Sequence, residues 1–206
     1  TVNEYNYYVG SNSTREQNRL FQAYYMQLET EWLRSEPELA GVLAFCYLAN
    51  NYGYTGDWFK DNIKDLKPIP TLEWFAHAFS PTAVFINLTD ERYVKLTDPH
   101  QPGEKLSFKL AKVNDVDREI KGIVTLKVLD SDGKTVEHKM MAVTLSVFDR
   151  SSLPVEISLP KKPGGYLLLA EFNAEGSEKT VISRRFIKVG EAGEYKYFEL
   201  QPAKLK

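Results

Sequence analysis

The chain is nearly devoid of cysteine: Cys46 stands alone among 206 residues, so no disulfide framework and no cysteine-based metal site can form within it. Cys46 sits inside the apolar run from Gly41 to Ala49, where a buried, inert thiol is expected. That run is also the longest apolar stretch, far short of the roughly 20 residues needed to cross a bilayer, and there is no amino-terminal signal pattern. No membrane partner is therefore expected. Histidine is scarce as well. His77 reads as a packing residue beside Trp74, while His100 and His138 have no second histidine or carboxylate at ligand spacing, so no metal is expected. A Gly-rich phosphate loop is missing too, because Pro163-Gly-Gly165 lacks the spacing, and no cofactor is expected. Charge of one sign is not in excess: the formal net charge is −2, and basic residues alternate with acids along the predicted strands. That pattern describes a solvated face and excludes a nucleic-acid footprint.

What is present is unevenly distributed. Residues 1–90 hold 6 Lys/Arg against 11 Asp/Glu, all three Trp and 17 of the 26 aromatic residues. Flat rings among carboxylates suit a carbohydrate site, although most of the rings are expected to fill a core. From residue 83 the apolar period changes to two, so we expect two unlike pieces, residues 1–88 and 89–206. Because the chain starts at Thr1 without Met, a processed or excised part of a longer polypeptide is expected.

In the first piece, Ser13 and Glu16 form an S-x-x-E capping box ahead of Leu20, Phe21, Tyr24, Tyr25, Leu28 and Trp32, which recur at helical spacing. A helix of about 20 residues, stopped by Pro37, is predicted. Residues 41–48 read as a strand buried on both faces, and 70–79 as a second helix ended by Pro81. Helix, buried strand, helix is a piece of a β/α fold whose remaining strands must come from elsewhere. In the second piece, strands are predicted over 83–88, 92–97, 105–111, 119–129, 135–148, 153–159, 165–173, 179–189 and 195–200. Turns fall at Asp130-Ser-Asp-Gly133 and Glu175-Gly176-Ser177. This is the pattern of an antiparallel, immunoglobulin-like β-sandwich, with Phe108, Phe148, Tyr166 and Phe172 at core positions.

The candidate chemistry lies at the amino terminus. Glu4 among Tyr5, Tyr7 and Tyr8, after a short apolar start and before a loop and helix, is where a barrel strand would end, and barrels place their active sites at such ends. The run Asn3-Glu4-Tyr5, Gly10, Asn12-Ser13, then a Tyr-rich helix and the apolar residues 40–48, resembles the end of the catalytic barrel in family 2 glycoside hydrolases, the β-galactosidase group of large bacterial multidomain enzymes. Ser11 is inserted between Gly10 and Asn12 relative to the family pattern. The resemblance covers residues 1 to about 86. It implies the terminal units of a (β/α)8 barrel followed by an accessory sandwich, with Glu4 as nucleophile of a retaining enzyme that cleaves β-linked glycosides.

One helix, one buried strand and one helix follow Glu4, which is what remains after strand 7 of an eight-unit barrel. A general acid on strand 4 would instead demand four more units downstream. Retention also needs a second carboxyl about 5 to 5.5 Å from the nucleophile. Asp57, Asp61 and Asp65 are better read as loop residues, so the acid is expected from an upstream part of the same enzyme and the isolated chain is expected to be inactive. Tyr5, Tyr47, Asn50 and Trp58 are the expected contacts to a glycoside or oligosaccharide, with Tyr52 and Tyr54 nearby. The resemblance implies a periplasmic or secreted bacterial protein. The alternative is a non-catalytic sandwich acting as a binding or interaction module.

Overall fold

The structure, a computed structural model, describes residues 2–39, 41–42, 58–59, 67–93 and 97–199. The predicted buried strand over 41–48 lies largely outside these residues. The chain divides into two compact units, one comprising Thr1–Arg34, Glu38–Phe79 and Leu200–Lys206, the other Ser35–Pro37 and Ser80–Glu199.

Among its described residues the first unit holds three helices: α1 (Val2–Tyr8), α2 (Arg15–Ser35) and α3 (Pro70–Ala78). The capping box of α2 lies one residue later than expected. Gln17 N–H donates to Thr14 Oγ1 at 3.2 Å and Thr14 N–H to Gln17 Oε1 at 2.8 Å, while the Ser13 hydroxyl donates to Asn18 Oδ1. The buried face of α2 is also rotated from the apolar stripe. Phe21, Tyr24, Gln27 and Glu31 are inside, whereas Tyr25 is exposed and Trp32 is 57% exposed. Gln27 and Glu31 are four residues apart, so they stack one turn above the other, and Gln27 Nε2 donates to Glu31 Oε1 at 2.7 Å. In α3, Pro70 occupies the first turn, where its missing N–H costs nothing, and Thr71, Trp74 and Ala78 face inward at i, i+3 and i+7. Arg34 Nη1 donates to the Ala78 carbonyl at 2.5 Å, satisfying one orphan acceptor at the helix end.

The second unit is a sandwich with seven antiparallel strands among its described residues. One sheet has the order β1 (Thr82–Asn87), β2 (Lys105–Asn114), β5 (Ser152–Ser158). The other has the order β4 (Thr135–Leu145), β3 (Ile120–Leu129), β6 (Gly164–Ala174), β7 (Thr180–Val189). In the immunoglobulin constant arrangement the fourth strand pairs with the fifth; here β4 has changed sheets and pairs with β3. Alternate residues meet between the sheets, among them Val124, Leu126 and Val128 on β3, Leu168, Ala170 and Phe172 on β6, and Leu106, Phe108 and Leu110 on β2. Each buried aliphatic or Phe side chain contributes about 1.5–3 kcal/mol. Tyr166, at the start of β6, donates its hydroxyl to the Lys162 carbonyl at 2.7 Å, the tyrosine corner of such sandwiches.

No (β/α)8 barrel is formed among the described residues. Of the expected strands over 92–97 and 195–200, residues 94–96 and 200 lie outside the described residues, and the described remainder is not strand. Arg92 and Tyr93 lie in a turn, and 195–199 is an irregular segment across the outer face of the four-stranded sheet. There the Tyr197 ring meets Phe186 at 5.2 Å, and Leu129, Leu167 and Phe186, in register across β3, β6 and β7, form a second buried row. Gly133 is required twice over. Its φ is +79°, completing the Asp130 turn, and a Cβ there would stand 2.5 Å from the Phe198 ring. Phe148, expected in the core, is instead 60% exposed in the β4–β5 turn with φ 50°.

Candidate functional site

Glu4 and Tyr5 do not end a strand. They belong to α1, whose last turn closes where Val9 N–H donates to the Tyr5 carbonyl at 2.8 Å and Gly10 takes φ +111°. A seven-residue segment with no strand beside it among the described residues satisfies its backbone locally as a helix. Tyr5 is set edge-on to Phe21 at 6.0 Å, and Tyr8 stacks on the same ring at 5.1 Å, so both rings serve packing. The side chain of Glu4, together with Tyr47, Asn50, Tyr52, Tyr54, Asp57, Asp61 and Asp65, lies outside the described residues. Trp58 is only 3% exposed and packs at 5.2 Å against Phe75, leaving almost no ring face for a sugar. His77 is half-buried on α3.

The chemistry-bearing groups that the structure does bring together lie in the second unit. The connection from β1 to β2 runs along β7, and His100 forms a parallel bridge to Val189. Asp90 is buried, and each of its oxygens is used. Oδ1 accepts the N–H groups of Arg92 and Tyr93 at 3.1 and 2.9 Å, and Oδ2 accepts Phe186 N–H at 2.9 Å. Glu91 is equally committed, with Oε2 accepting Lys188 N–H at 2.6 Å and Oε1 lying 2.8 Å from His100 Nε2. The other ring nitrogen, Nδ1, is 2.9 Å from Glu104 Oε1. The hydrogen bond to Glu91 raises the His100 pKa most, burial opposes it, and Glu104 adds to the rise.

Beside this cluster the Arg92 guanidinium stands 4.8 Å from the Phe186 ring centre, 5.2 Å from that of Tyr197 and 5.3 Å from that of Tyr93, and pairs with Glu199 at 2.6 Å. Burial pushes the Tyr93 phenol up to about 12, and Tyr197 is raised for the same reason. These groups hold backbone and rings. Sequence reading missed the cluster because Glu91 reaches β7 nearly 100 positions away. The one local clue was Glu104, four residues beyond His100. The expectation that His100 lacks a nearby carboxylate is corrected by both contacts.

A similar economy holds at the opposite turn. Burial favours the neutral form of Asp149, but hydrogen bonds from Ser151, Lys112 and Ser146 outweigh it and hold the carboxyl at about 2. An open groove of about 620 Å³ runs between the edge strands β4 and β5, lined by Phe108, Met141, Leu153 and Val155 and bridged where Lys139 Nζ donates to the Glu156 carbonyl at 2.9 Å. Among the described residues, no group of three or more His, Cys, Asp or Glu could hold a metal ion.

No family model matches the chain, and no curated protein sequence does. Solved structures similar to it include a family 123 glycoside hydrolase from Clostridium perfringens, at 14% identity and TM-score 0.35, over 53% of this chain and 27% of that one. They also include Bacteroides uniformis β-glucuronidase, at 11% identity and TM-score 0.36 over 54% and 13%, and a β-glucuronidase from glycoside hydrolase family 2, at 12% and 0.32 over 53% and 11%. The chain thus spans little more than a quarter of the length of the first of these and less of the other two.

Proposed function

We propose that the chain is the closing part of a retaining glycoside hydrolase of family 2 type that cleaves β-linked glycosides, with Glu4 as nucleophile and the sandwich as a non-catalytic brace. One observation carries the reading: the order Asn3-Glu4-Tyr5, Gly10, Asn12-Ser13, a Tyr-rich helix, an apolar run, a second helix and then a sandwich. In support, residues 15–35 and 70–78 are helical, as the reading needs of these stretches. The sandwich also spends its buried carboxylates Asp90, Glu91 and Asp149 on its own backbone. Because residues 2–8 are helical, the reading requires them to become extended when barrel strands flank them and supply ladder partners. Tyr5, Tyr47 and Asn50 are then substrate contacts, and Trp58 packs against Phe75. Glu4 attacks the anomeric carbon, the leaving oxygen takes a proton from a carboxyl on another barrel strand, and water cleaves the glycosyl ester.

The test is a Glu4→Gln substitution in the enzyme the reading requires, this chain joined to its upstream barrel. Turnover of an aryl β-glycoside falls about a thousandfold or more while folding is kept. Full activity of that variant overturns the assignment.

A second reading, the sandwich as a binding module, is favoured by the groove between β4 and β5. Light scattering separates the two. A stable, monodisperse monomer favours the module, whereas self-association of the isolated chain favours the enzyme part.

A further inference from the structure

We propose that His100, held between Glu91 and Glu104, is a pH-operated clasp that keeps the connection from β1 to β2 closed over the edge of β7 opposite β6. Among the described residues, β7 has a strand neighbour, β6, on one side only. Its other side is covered by side chains and loop backbone. Phe186 and Lys188 donate their N–H groups to the carboxylates of Asp90 and Glu91, and the Phe186 and Lys188 carbonyls accept the N–H groups of Glu91 and His100, both at 2.9 Å. Gly190 N–H completes the row by donating to the His100 carbonyl at 2.7 Å. Two carboxylates thus replace the carbonyls of an absent strand. An uncovered edge is a template for pairing with another chain, so whatever holds this cover also decides whether the edge is available.

The clasp follows from donor counting. Ionised carboxylates only accept, and a neutral imidazole has a single N–H. His100 faces a carboxylate oxygen with each nitrogen, at 2.8 and 2.9 Å, so both bonds exist together only in the imidazolium form. Loss of a proton sets one nitrogen lone pair against a carboxylate. Glu91 is buried and pinned by Lys188 N–H, whereas Glu104 is more open, so Glu104 is the partner released.

The other charged groups packed around the ring are already engaged. The Lys188 ammonium points to the Thr97 carbonyl at 3.4 Å and stands 6.0 Å from the Tyr195 ring centre. Arg92 is paired with Glu199, and Asp90 is tied to three N–H groups. From the β5–β6 connection, the Lys161 stem lies against Gly103. The folded-state pKa of His100 is raised, so the clasp's contribution is complete below the ordinary histidine value and disappears as pH rises through the folded-state value.

Amide hydrogen exchange read by NMR on the full chain, from about pH 6 to about pH 9 and corrected for intrinsic rates, tests this directly. Protection of the Phe186 and Lys188 amides is expected to fall as the His100 ring titrates. The drop is tenfold for each unit by which its folded pKa exceeds the unfolded one, while the Leu126 amide in the core stays constant. In His100→Gln the pH dependence at Lys188 is expected to vanish. Constant protection in the parent chain through that titration, or an unchanged drop in His100→Gln, overturns the proposal. Should His100→Gln not fold, Glu104→Gln keeps the Glu91 contact and is expected to move the ring titration and the exchange midpoint downward together; an exchange midpoint that stays put also overturns it.

Discussion

The helical unit and the sandwich differ in how well the apolar pattern of the sequence marks the buried face. In the sandwich the apolar side chains of alternate positions close on one another, and Phe172 and Leu126 are almost fully buried. In the helical unit, large aromatic rings such as Tyr7, Tyr25, Trp32 and Phe79 are exposed, while Gln27, Thr30, Glu31 and Thr71 are buried. Hydrophobic periodicity alone therefore locates the core of one unit and misplaces the buried face of the other. A strand shows its two faces strictly in turn, but a helix can rotate its stripe by a fraction of a turn when a polar pair such as Gln27–Glu31 satisfies itself.

The largest effect that can break this comparison is a pair of truncations. Phe172→Ala is expected to cost about 3–5 kcal/mol in denaturant unfolding, whereas Trp32→Ala stays within about 0.5 kcal/mol because its ring is largely in solvent. Equal losses would mean that Trp32 is as much a core residue as Phe172.

The next effect is in acid. Asp149 is held at about 2, below the ordinary carboxylate value, so its bonds stabilise the sandwich above about pH 4 and that contribution is lost as pH falls toward 2. Asp149→Asn is expected to cost about 1–2 kcal/mol at neutral pH, with the gap from the parent chain narrowing in acid. A gap that is constant with pH would assign the cost to packing instead of charge.

The smallest effect sharpens the helical side. Thr14→Ala is expected to lower stability by about 1 kcal/mol and to speed amide exchange in the first turn of α2, and Ser13→Ala to do less. The reverse order would restore the capping box at Ser13.

Much of the sandwich could be read in advance. Its seven strands coincide with seven of the nine predicted stretches, because period two and the turn residues at Gly133 and Gly176 mark them locally. In the other two stretches the described residues, 92–93, 97 and 195–199, differ for a shared reason. Their tyrosines look strand-like locally, but Arg92, Tyr93 and Tyr197 cover the sheet through rings and a carboxylate distant in sequence, and Tyr195 donates to the Gly190 carbonyl. Phe148 misleads similarly, as an aromatic residue in a left-handed turn. The ends of α2 and α3 were legible from Pro37 and Pro81, whereas residues 2–8 were not, since a seven-residue segment takes the form its partners dictate. Of the candidate site, Glu4 and Tyr5 rest on their resemblance to a barrel strand end, and the burial of Trp58 against Phe75 depends on a contact across the chain that spacing could not reveal.

Covalent trapping tests the central claim most directly. A 2-deoxy-2-fluoro-β-glycoside incubated with this chain joined to the upstream barrel that the proposal requires should leave a stable glycosyl ester on the attacking carboxylate, which peptide mass mapping locates. The account predicts the added mass on the peptide carrying Asn3-Glu4-Tyr5. Label on any other carboxylate, with Glu4 unmodified, would contradict it.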